Sequence, residues 1–527
     1  MSNRKIDNGL TRRGFIKRAA VGAGAVTLIG MSTTEAKGET ETRMLAVIAD
    51  KAKVCDVLVV GTGFSGLVAA LRAAEQGAKV MVIEKLPKGW WAPGGDLIIS
   101  AQAINITGLS LMAPEDILRK RIAEQTANRA IPEIVDAMVK NAPRCINWLK
   151  GQGAEFEEPP GKEFMLKPAK HFPIHWGAVK PGAPRDAARY GGKKTANILE
   201  SHILHKGGQI LYATKFMDFV LNNKGEITGI IAKDQDGLFE IKAKATILAT
   251  GGFVKNKELM IRYFGPQAGQ LKPYVNPGCT GEGFVKALEV GAATRSLPYT
   301  EFSPWAEAAV WNDDFNWFSL VSGQYGIAVN ENGERLADES GELTVWGSLM
   351  LNAGYQSARG FCVIDNKIRS IDKVKSEIEL IQNMGATVHS ANTIEELVEK
   401  AKISKYLAVT IEEFNKAVDE GRTLYLRAPK KDKINKIAEP PFYAIPFVLG
   451  ILSTMGGLLT NSHGELLNND GETIPGLFAA GAIAHGTLTG GYMDSPFHGP
   501  SYCGHLAHCL IFGVLCGENA AIRASKL

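Results

Sequence analysis

The stretch Asp56–Lys85, DVLVVGTGFSGLVAALRAAEQGAKVMVIEK, decides the fold class of this chain. It opens with an apolar, β-branched run, Val57–Val60, that ends in Gly61-Thr62-Gly63-Phe64-Ser65-Gly66, the G-x-G-x-x-G spacing. An Ala/Leu-rich helical stretch follows to Gln76, then a second apolar strand from Lys79 to Ile83, closed by Glu84 and Lys85. Strand, glycine turn, helix and strand in this order predict the start of a parallel βαβ sheet. The glycines permit a tight turn and let a pyrophosphate approach the positive N-terminus of the helix. Glu84 lies 18 residues past Gly66, where a carboxylate accepts hydrogen bonds from ribose hydroxyls. The unit reads as dinucleotide-binding, with Gly61, Gly63, Phe64, Ser65, Gly66, Glu84 and Lys85 as cofactor contacts.

Outward from this unit, KATILATGG (Lys244–Gly252) and IPGLFAAGA (Ile474–Ala482) are apolar strands ending in small residues. GHLAHCLIFGVLCGENAA (Gly504–Ala521) reads as a helix aiming its N-terminus at a ligand. With PGGDLIISAQAIN (Pro93–Asn105), TGEGFVKALEVGA (Thr280–Ala292), VNENGERLADE (Val329–Glu339) and PPFYA (Pro440–Ala444), the chain from about Val54 to Ala521 resembles the flavoprotein family of fumarate reductase, succinate dehydrogenase, urocanate reductase and 3-ketosteroid dehydrogenases. The resemblance implies FAD rather than NAD as cofactor. It adds Gly94, Gly95, Asp96, Ser100, Thr250, Gly251, Gly481, Gly504, His505 and Leu506 to the expected cofactor contacts. Asp96 stands where the family often has Asn. The implied fold is α/β, a Rossmann-like FAD-binding domain (53–298 and 453–527) interrupted by an α+β capping domain (299–452). Thr393 and Glu396 form a capping-box pattern within a polar, helical stretch from Lys367 to Gly421.

The chain has 527 residues, enough for two domains, and a formal net charge of +4. Residues 1–36 carry six Lys/Arg (Arg4, Lys5, Arg12, Arg13, Lys17, Arg18) against Asp7 and Glu35, which leaves a neutral body with no electrostatic footprint for nucleic acid. TRRGFIKRAAVGAGAVTLIG (Thr11–Gly30) reads as a twin-arginine export signal, followed by a linker at 37–52, and predicts a periplasmic protein. Its apolar run is too short to span a bilayer, and the protein is expected not to be membrane-spanning. Of the seven cysteines, Cys503, Cys509 and Cys516 cluster near the C-terminus, a pattern read as small buried side chains rather than as an iron–sulfur site. No metal is expected. No Cys-x-x-Cys-His occurs, so the chain attaches no c-type haem of its own.

In the dicarboxylate-reducing branch of the family, arginines and histidines clamp two carboxylates and an arginine delivers the proton. The corresponding positions here are Ser303, Ser319 and Ser322, Leu343, Ser453 and Ser501. Charge-assisted bonds of this kind contribute about 1.5–3 kcal/mol each, so their loss predicts poor dicarboxylate recognition. Phe302–Tyr325 contributes Trp305, Trp311 and Trp317, which serve either as an aromatic pocket wall or as domain core. The proton carriers expected are Tyr492 and His498, in the Gly-rich loop before the C-terminal helix, with Tyr325 as a further candidate. The implied reaction is reduction or desaturation of a carbon–carbon bond in a neutral or mono-anionic apolar small-molecule substrate: an enone, a ketosteroid or an aryl-acrylate. A separate electron-transfer partner, a c-type cytochrome or a quinone, completes it. The alternative is a carboxylate reductase whose clamp has moved to Arg185, Arg189, Arg295 or Arg335; a non-catalytic flavin-binding protein is a third reading.

Overall fold

The computed structural model describes residues 52–98, 103–106, 109–126, 128, 130–157, 164–166, 190–273, 275–295, 300–307, 320–335, 337–340, 359–383, 385–454, 456–487 and 505–527. The stretch Thr11–Gly30 expected to act as an export signal, Ser100, Ser319, Leu343, Arg185, Arg189, Tyr492, His498, Ser501 and Gly504 lie outside these residues.

The opening unit folds as β1 (Lys53–Val60), α1 (Phe64–Glu75) and β2 (Val80–Ile83). Further along come α2 (Pro132–Gly151), α3 (Tyr190–His205), β3 (Gln209–Leu211), β4 (Lys215–Leu221), β5 (Ile227–Asp234) and β6 (Gly237–Leu248). A second group comprises β7 (Thr300–Ala306), β8 (Ile327–Val329), β9 (Arg359–Ile364), α4 (Asp372–Asn383), α5 (Ile394–Ala401), α6 (Tyr406–Asp419) and β10 (Phe442–Thr454). The chain closes with β11 (Glu465–Leu467), β12 (Thr473–Ala479) and α7 (His505–Lys526). The molecule is a mixed α/β fold.

The larger sheet runs β11-β12-β6-β1-β2-β3, with β5 paired to β6 and β4 to β5. Its centre is parallel: Val57 faces Val80 on β2 and Ala245 on β6, and Leu477 of β12 faces Thr246. From β1 the chain first moves out to β2 and β3, then returns to the other side of β1 for β6 and β12. Such a reversal opens a crevice at the carboxyl ends of the strands, the place where open α/β sheets bind ligands. The apolar runs are continuous because both faces of the sheet are covered. Val57 and Val59 join the core under α1, α2, α3 and α7, and Leu58 and Val60 join the core on the opposite face.

α7 packs along α1 at close range. A Cβ on Gly513 would stand 2.9 Å from Val68, and one on Gly517 would collide with the Ala69 carbonyl. Glu518 then ties three helices, receiving Arg72 of α1 at 2.6 Å and Arg144 of α2 at 2.8 Å. By length and composition α7 could cross a bilayer, but most of it is buried against α1 and the sheet.

The second sheet is built around β10. β9 and His389–Ala391 pair with its first half, β7 and the parallel strand Lys272–Pro273 with its second half, and β8 edges β9. The polar stretch 367–421 supplies α4, α5 and α6. The capping box forms: Thr393 Oγ1 accepts from the Glu396 N–H at 3.2 Å, while Glu396 reaches back to the N–H of Asn392 rather than that of Thr393.

Candidate cofactor and active site

Every glycine-bearing strand end meets at one edge of the larger sheet. The Gly61 N–H donates to Ile83 O at 2.8 Å, Ala249 N–H to Val60 O at 2.9 Å and Ala480 N–H to Leu248 O at 3.0 Å, which locks the ends of β1, β2, β6 and β12 side by side. The three motif glycines have different reasons to be glycine. Gly61 has φ +111°, and a Cβ there would strike the Ala249 carbonyl; a Cβ on Gly66 would strike the Gly61 carbonyl. Gly63 is unlike both. It caps α1 in an extended conformation with φ −62°, and a Cβ on it would meet nothing nearer than Ala249 O at 3.9 Å. Protein packing explains the first and third glycines and leaves the middle one facing open space at a helix N-terminus. This is the shape a pyrophosphate requires, so the residues present fit FAD.

Around this cradle the expected contacts divide. Glu84 accepts from the Thr62 N–H at 2.9 Å, from Thr62 Oγ1 at 2.8 Å and from the Leu86 N–H at 2.9 Å, so it is held rigidly at the end of β2. Lys85 turns aside: its Nζ donates to Thr280 Oγ1 at 2.5 Å and Glu282 Oε2 at 2.9 Å. Burial alone would raise the Glu282 carboxyl, but hydrogen bonds from Thr280 and Lys85 outweigh it and hold the group at about 2. Ser65 Oγ donates to Ala480 O at 3.2 Å, fastening β12 to α1, and Phe64 is buried in the core. Of these two residues, the backbone rather than the side chain is left for the cofactor.

Gly94 and Gly95 lie against the phosphate turn. The Gly94 N–H donates to Thr62 O at 2.9 Å, and a Cβ on Gly95 would be 3.1 Å from Gly63 Cα. Asp96, half-buried, accepts from the Asn276 N–H at 2.6 Å and from the Cys279 thiol at 3.5 Å; burial pushes its carboxyl up to about 6. Beyond β6, Thr250 and Gly251 follow the strand end, and a Cβ on Gly251 would sit 3.0 Å from Cys279 Sγ. A Cβ on Gly481 would collide with Ser65 Oγ and stand 3.7 Å from Cys509 Sγ. His505 begins α7 half-buried, its imidazole pushed down to about 4 by burial, and Leu506 is buried in the core.

The second sheet reaches this edge through the end of β10. A Cβ on Gly252 would strike Thr454 Oγ1, so Ser453 and Thr454 lie beside the β6 turn. Strand register then sorts the remaining candidates. Thr300 faces Thr454 and Ser303 faces Gly450. Gly457 faces Arg295 in the next short ladder, which brings that arginine to the same end.

Tyr325 and Ser322 lie toward the other end of β10 from Ser453. Ile327, just after them, faces Val363, which faces Ala444. Ala444 is ten residues before Thr454, or roughly 30 Å of extended strand. Ser322 is moreover fully buried, its N–H donating to Glu377 at 2.8 Å, where no substrate reaches it. Arg335 is engaged within the protein. Its Nε and Nη2 grip both oxygens of Glu339 at 3.1 and 2.9 Å, and its Nη1 donates to Ala428 O, so no face of the guanidinium is left for a carboxylate ligand. Sequence periodicity carries no information on which end of a strand a residue joins.

Among the described residues no cluster of His, Cys, Asp or Glu is arranged to hold a metal. Cys516 Sγ points to Ala479 O at 3.4 Å inside the core, and Cys509 stands beside Gly481.

The profile of the FAD binding domain matches residues 56–494. This chain belongs to the FAD-binding flavoprotein family of fumarate reductase and succinate dehydrogenase. Among its relatives are the NADH:fumarate oxidoreductase of Klebsiella pneumoniae, 28% identical over 90% of this chain and 48% of that one, and the vinyl phenol reductase of Lactiplantibacillus plantarum, 26% identical over 89% of this chain and 96% of that one. The chain thus spans about half the length of the Klebsiella relative. The 3-ketosteroid Δ1-dehydrogenase of Sterolibacterium denitrificans shares the fold, with a TM-score of 0.70 over 89% of this chain and 100% of that one, at 18% identity. The cofactor is FAD, and the family is one of FAD-dependent oxidoreductases acting on CH–CH groups.

Proposed function

We propose that this protein reduces or desaturates a carbon–carbon bond of a neutral or mono-anionic apolar substrate of the enone, ketosteroid or aryl-acrylate class. The Rossmann-like FAD-binding domain (53–298 and 453–527) holds the cofactor, and the inserted 299–452 segment acts as its α+β cap. One observation carries this reading. The position beside the β6 turn that holds a histidine in dicarboxylate reductases is Ser453, half-buried next to Thr454 and Gly252. Bound FAD supplies the hydride exchange with carbon. The chain's own groups do the rest. The N–H groups at the start of α1 bind the pyrophosphate, and Glu84 orients the ribose. The β6 and β12 turns shut water out from below, and Tyr492 and His498 hold the proton for the neighbouring carbon.

Electrons are exchanged with a separate partner, a c-type cytochrome or quinone-linked protein, because the chain attaches no c-type haem itself. The Thr-Arg-Arg-x-Phe-x-Lys signature exports the folded, FAD-loaded protein to the periplasm, where it works without spanning the membrane. Replacing Arg12 and Arg13 together by lysine is expected to leave it in the cytoplasm; unchanged periplasmic recovery would refute the export reading.

The test of the substrate class is anaerobic. Dithionite-reduced holoprotein is mixed with fumarate, urocanate, cinnamates and ketosteroids, and the return of the oxidised flavin spectrum is followed. Cinnamates or enones are expected to reoxidise it and fumarate to leave it reduced. Fast reoxidation by fumarate would overturn the proposal. It would favour carboxylate reduction, for which Arg295, paired to Gly457 at this end of the molecule, is the arginine that register supports. In that case Arg295→Met abolishes the fumarate response.

A further inference from the structure

Asp96 is a carboxylic acid set into a cradle for a dianion. The turn that carries it rests on the phosphate loop, with Gly95 against Gly63 and Gly94 bonded to Thr62. Its two oxygens accept from the Asn276 N–H and the Cys279 thiol, and no ion pair engages it among the described residues. The charged and titratable groups facing it come from four elements. Lys255, past β6, acts on it through space; Cys279 bonds it from the 275–281 loop; Cys509 faces it from α7; and Lys85 and Glu84, past β2, act on Cys279. The Lys85 ammonium is already committed to Thr280 and Glu282.

We propose that Asp96 is neutral whenever FAD is bound, so that the protein takes up one proton with each FAD. The pyrophosphate carries two negative charges into the space in front of Gly63. The positive end of α1, which a free carboxylate beside it would share, becomes committed to the phosphates. Phosphates in front of Gly63, against which the turn carrying Asp96 rests, would add like charge beside an ionised Asp96, and like charges disfavour the ionised form. Asn, the common residue here in the family, avoids the conflict permanently; Asp avoids it only when protonated. The neighbours do not titrate in its place. Burial pushes the Cys279 thiol well above its usual value and Cys509 to about 12, and it pushes His505 and His508 down to about 4 and about 3.

The sign follows from linkage. The unliganded carboxyl sits at about 6, and the bound anion raises it further. Affinity for FAD is therefore constant below about pH 6, weakens by up to about tenfold per pH unit above it, and levels off past the raised value. The inference rests on the cofactor and not on the substrate proposed above.

Full-length holoprotein is stripped of FAD and retitrated, with flavin fluorescence reporting Kd between about pH 5.5 and 8.5, a window in which FAD itself neither gains nor loses a proton. Wild type is expected to follow the profile just given. Asp96→Asn, which keeps an oxygen for the Asn276 N–H, is expected to bind with a flat profile and more tightly at the alkaline end. Calorimetry of the wild type near neutral pH, in two buffers of different ionisation heat, is expected to register about one proton taken up per FAD. Identical pH profiles for the two proteins, or no proton uptake by wild type, would overturn the proposal. The calorimetry decides alone if the variant does not fold. Failure of the substrate screen would leave both readouts untouched.

Discussion

Around the FAD cradle the chain works with backbone, whereas in the second sheet it works with buried charge. At the cradle, four strand ends are locked by main-chain bonds, and the working surface is a row of N–H groups and glycines. At the far end of the second sheet, Lys430 and Glu339 are fully buried and Arg335 nearly so. Lys430 Nζ donates to Gln324 O at 2.9 Å, Gly326 O at 2.8 Å and Glu339 Oε1 at 3.3 Å, while Arg335 grips Glu339 and lies over the Phe414 ring. The difference teaches what each region tolerates. A cradle of backbone is ruined by adding a side chain, and a knot of buried ions is ruined by removing one.

The largest effect should come from adding atoms at the cradle. Gly63→Val is expected to yield folded, colourless protein, because a Cβ there meets nothing nearer than Ala249 O at 3.9 Å and the branched side chain enters the cofactor's space. Gly66→Val drives into the Gly61 carbonyl and should fail to fold. Far-UV circular dichroism and flavin absorbance separate the two, and a yellow Gly63→Val would break the comparison at its root.

Next in size is the removal of Glu339, which strands two buried cations. Glu339→Ala is expected to lower stability by about 3–5 kcal/mol in denaturant unfolding, while the FAD content of the folded protein stays at the wild-type level. A loss under about 1 kcal/mol would mean the ion cluster is not what holds this end of the sheet.

Chemistry comes third. His498→Ala and Tyr492→Phe are each expected to keep bound FAD and its visible spectrum. At least one should lose about a hundredfold in turnover, the usual contribution of a positioned acid or base. Wild-type turnover in both would move the proton path elsewhere.

The smallest effect tests charge on the cradle side. Glu282 is held at about 2 against an ordinary 4.5. A depressed carboxyl stabilises the fold above its unfolded value and loses that contribution as pH falls through the folded one. Because the group is a third exposed, screening limits the gain. Glu282→Gln should cost under about 1 kcal/mol at neutral pH and nothing near pH 2. A larger cost would place an essential charge where backbone is argued to suffice.

Legibility in the sequence varied with the range of the interaction. α1 and β2 came within a residue or two of their observed limits, β1 began four residues before its expected start at Val57, and the C-terminal helix ran five residues beyond its expected end at Ala521, to Lys526. The Thr393 half of the capping box formed as its spacing implies, while Glu396 bonds the N–H of Asn392 instead. Gly61, Gly63 and Gly66 stand where the motif requires, yet only coordinates separate the two that the protein's own packing demands from the one that serves the cofactor. Lys85 and Ser65 were legible as neighbours of the site, not as side chains turned away from it.

Asp56–Lys85 by itself determined the parallel sheet and the dinucleotide cradle, because strand period, helix period and turn glycines act over a few residues and are written in consecutive positions. Tertiary structure decided which residues share the site. Tyr325 and Ser322 follow β7 closely in the chain, yet register places them toward the opposite end of β10 from Ser453, and Arg335 is bound to Glu339 and Ala428 O. Arg295 and Asp96, distant in sequence, come to the cradle edge. Pairing register is set by the whole buried face of a sheet, and no local pattern contains it.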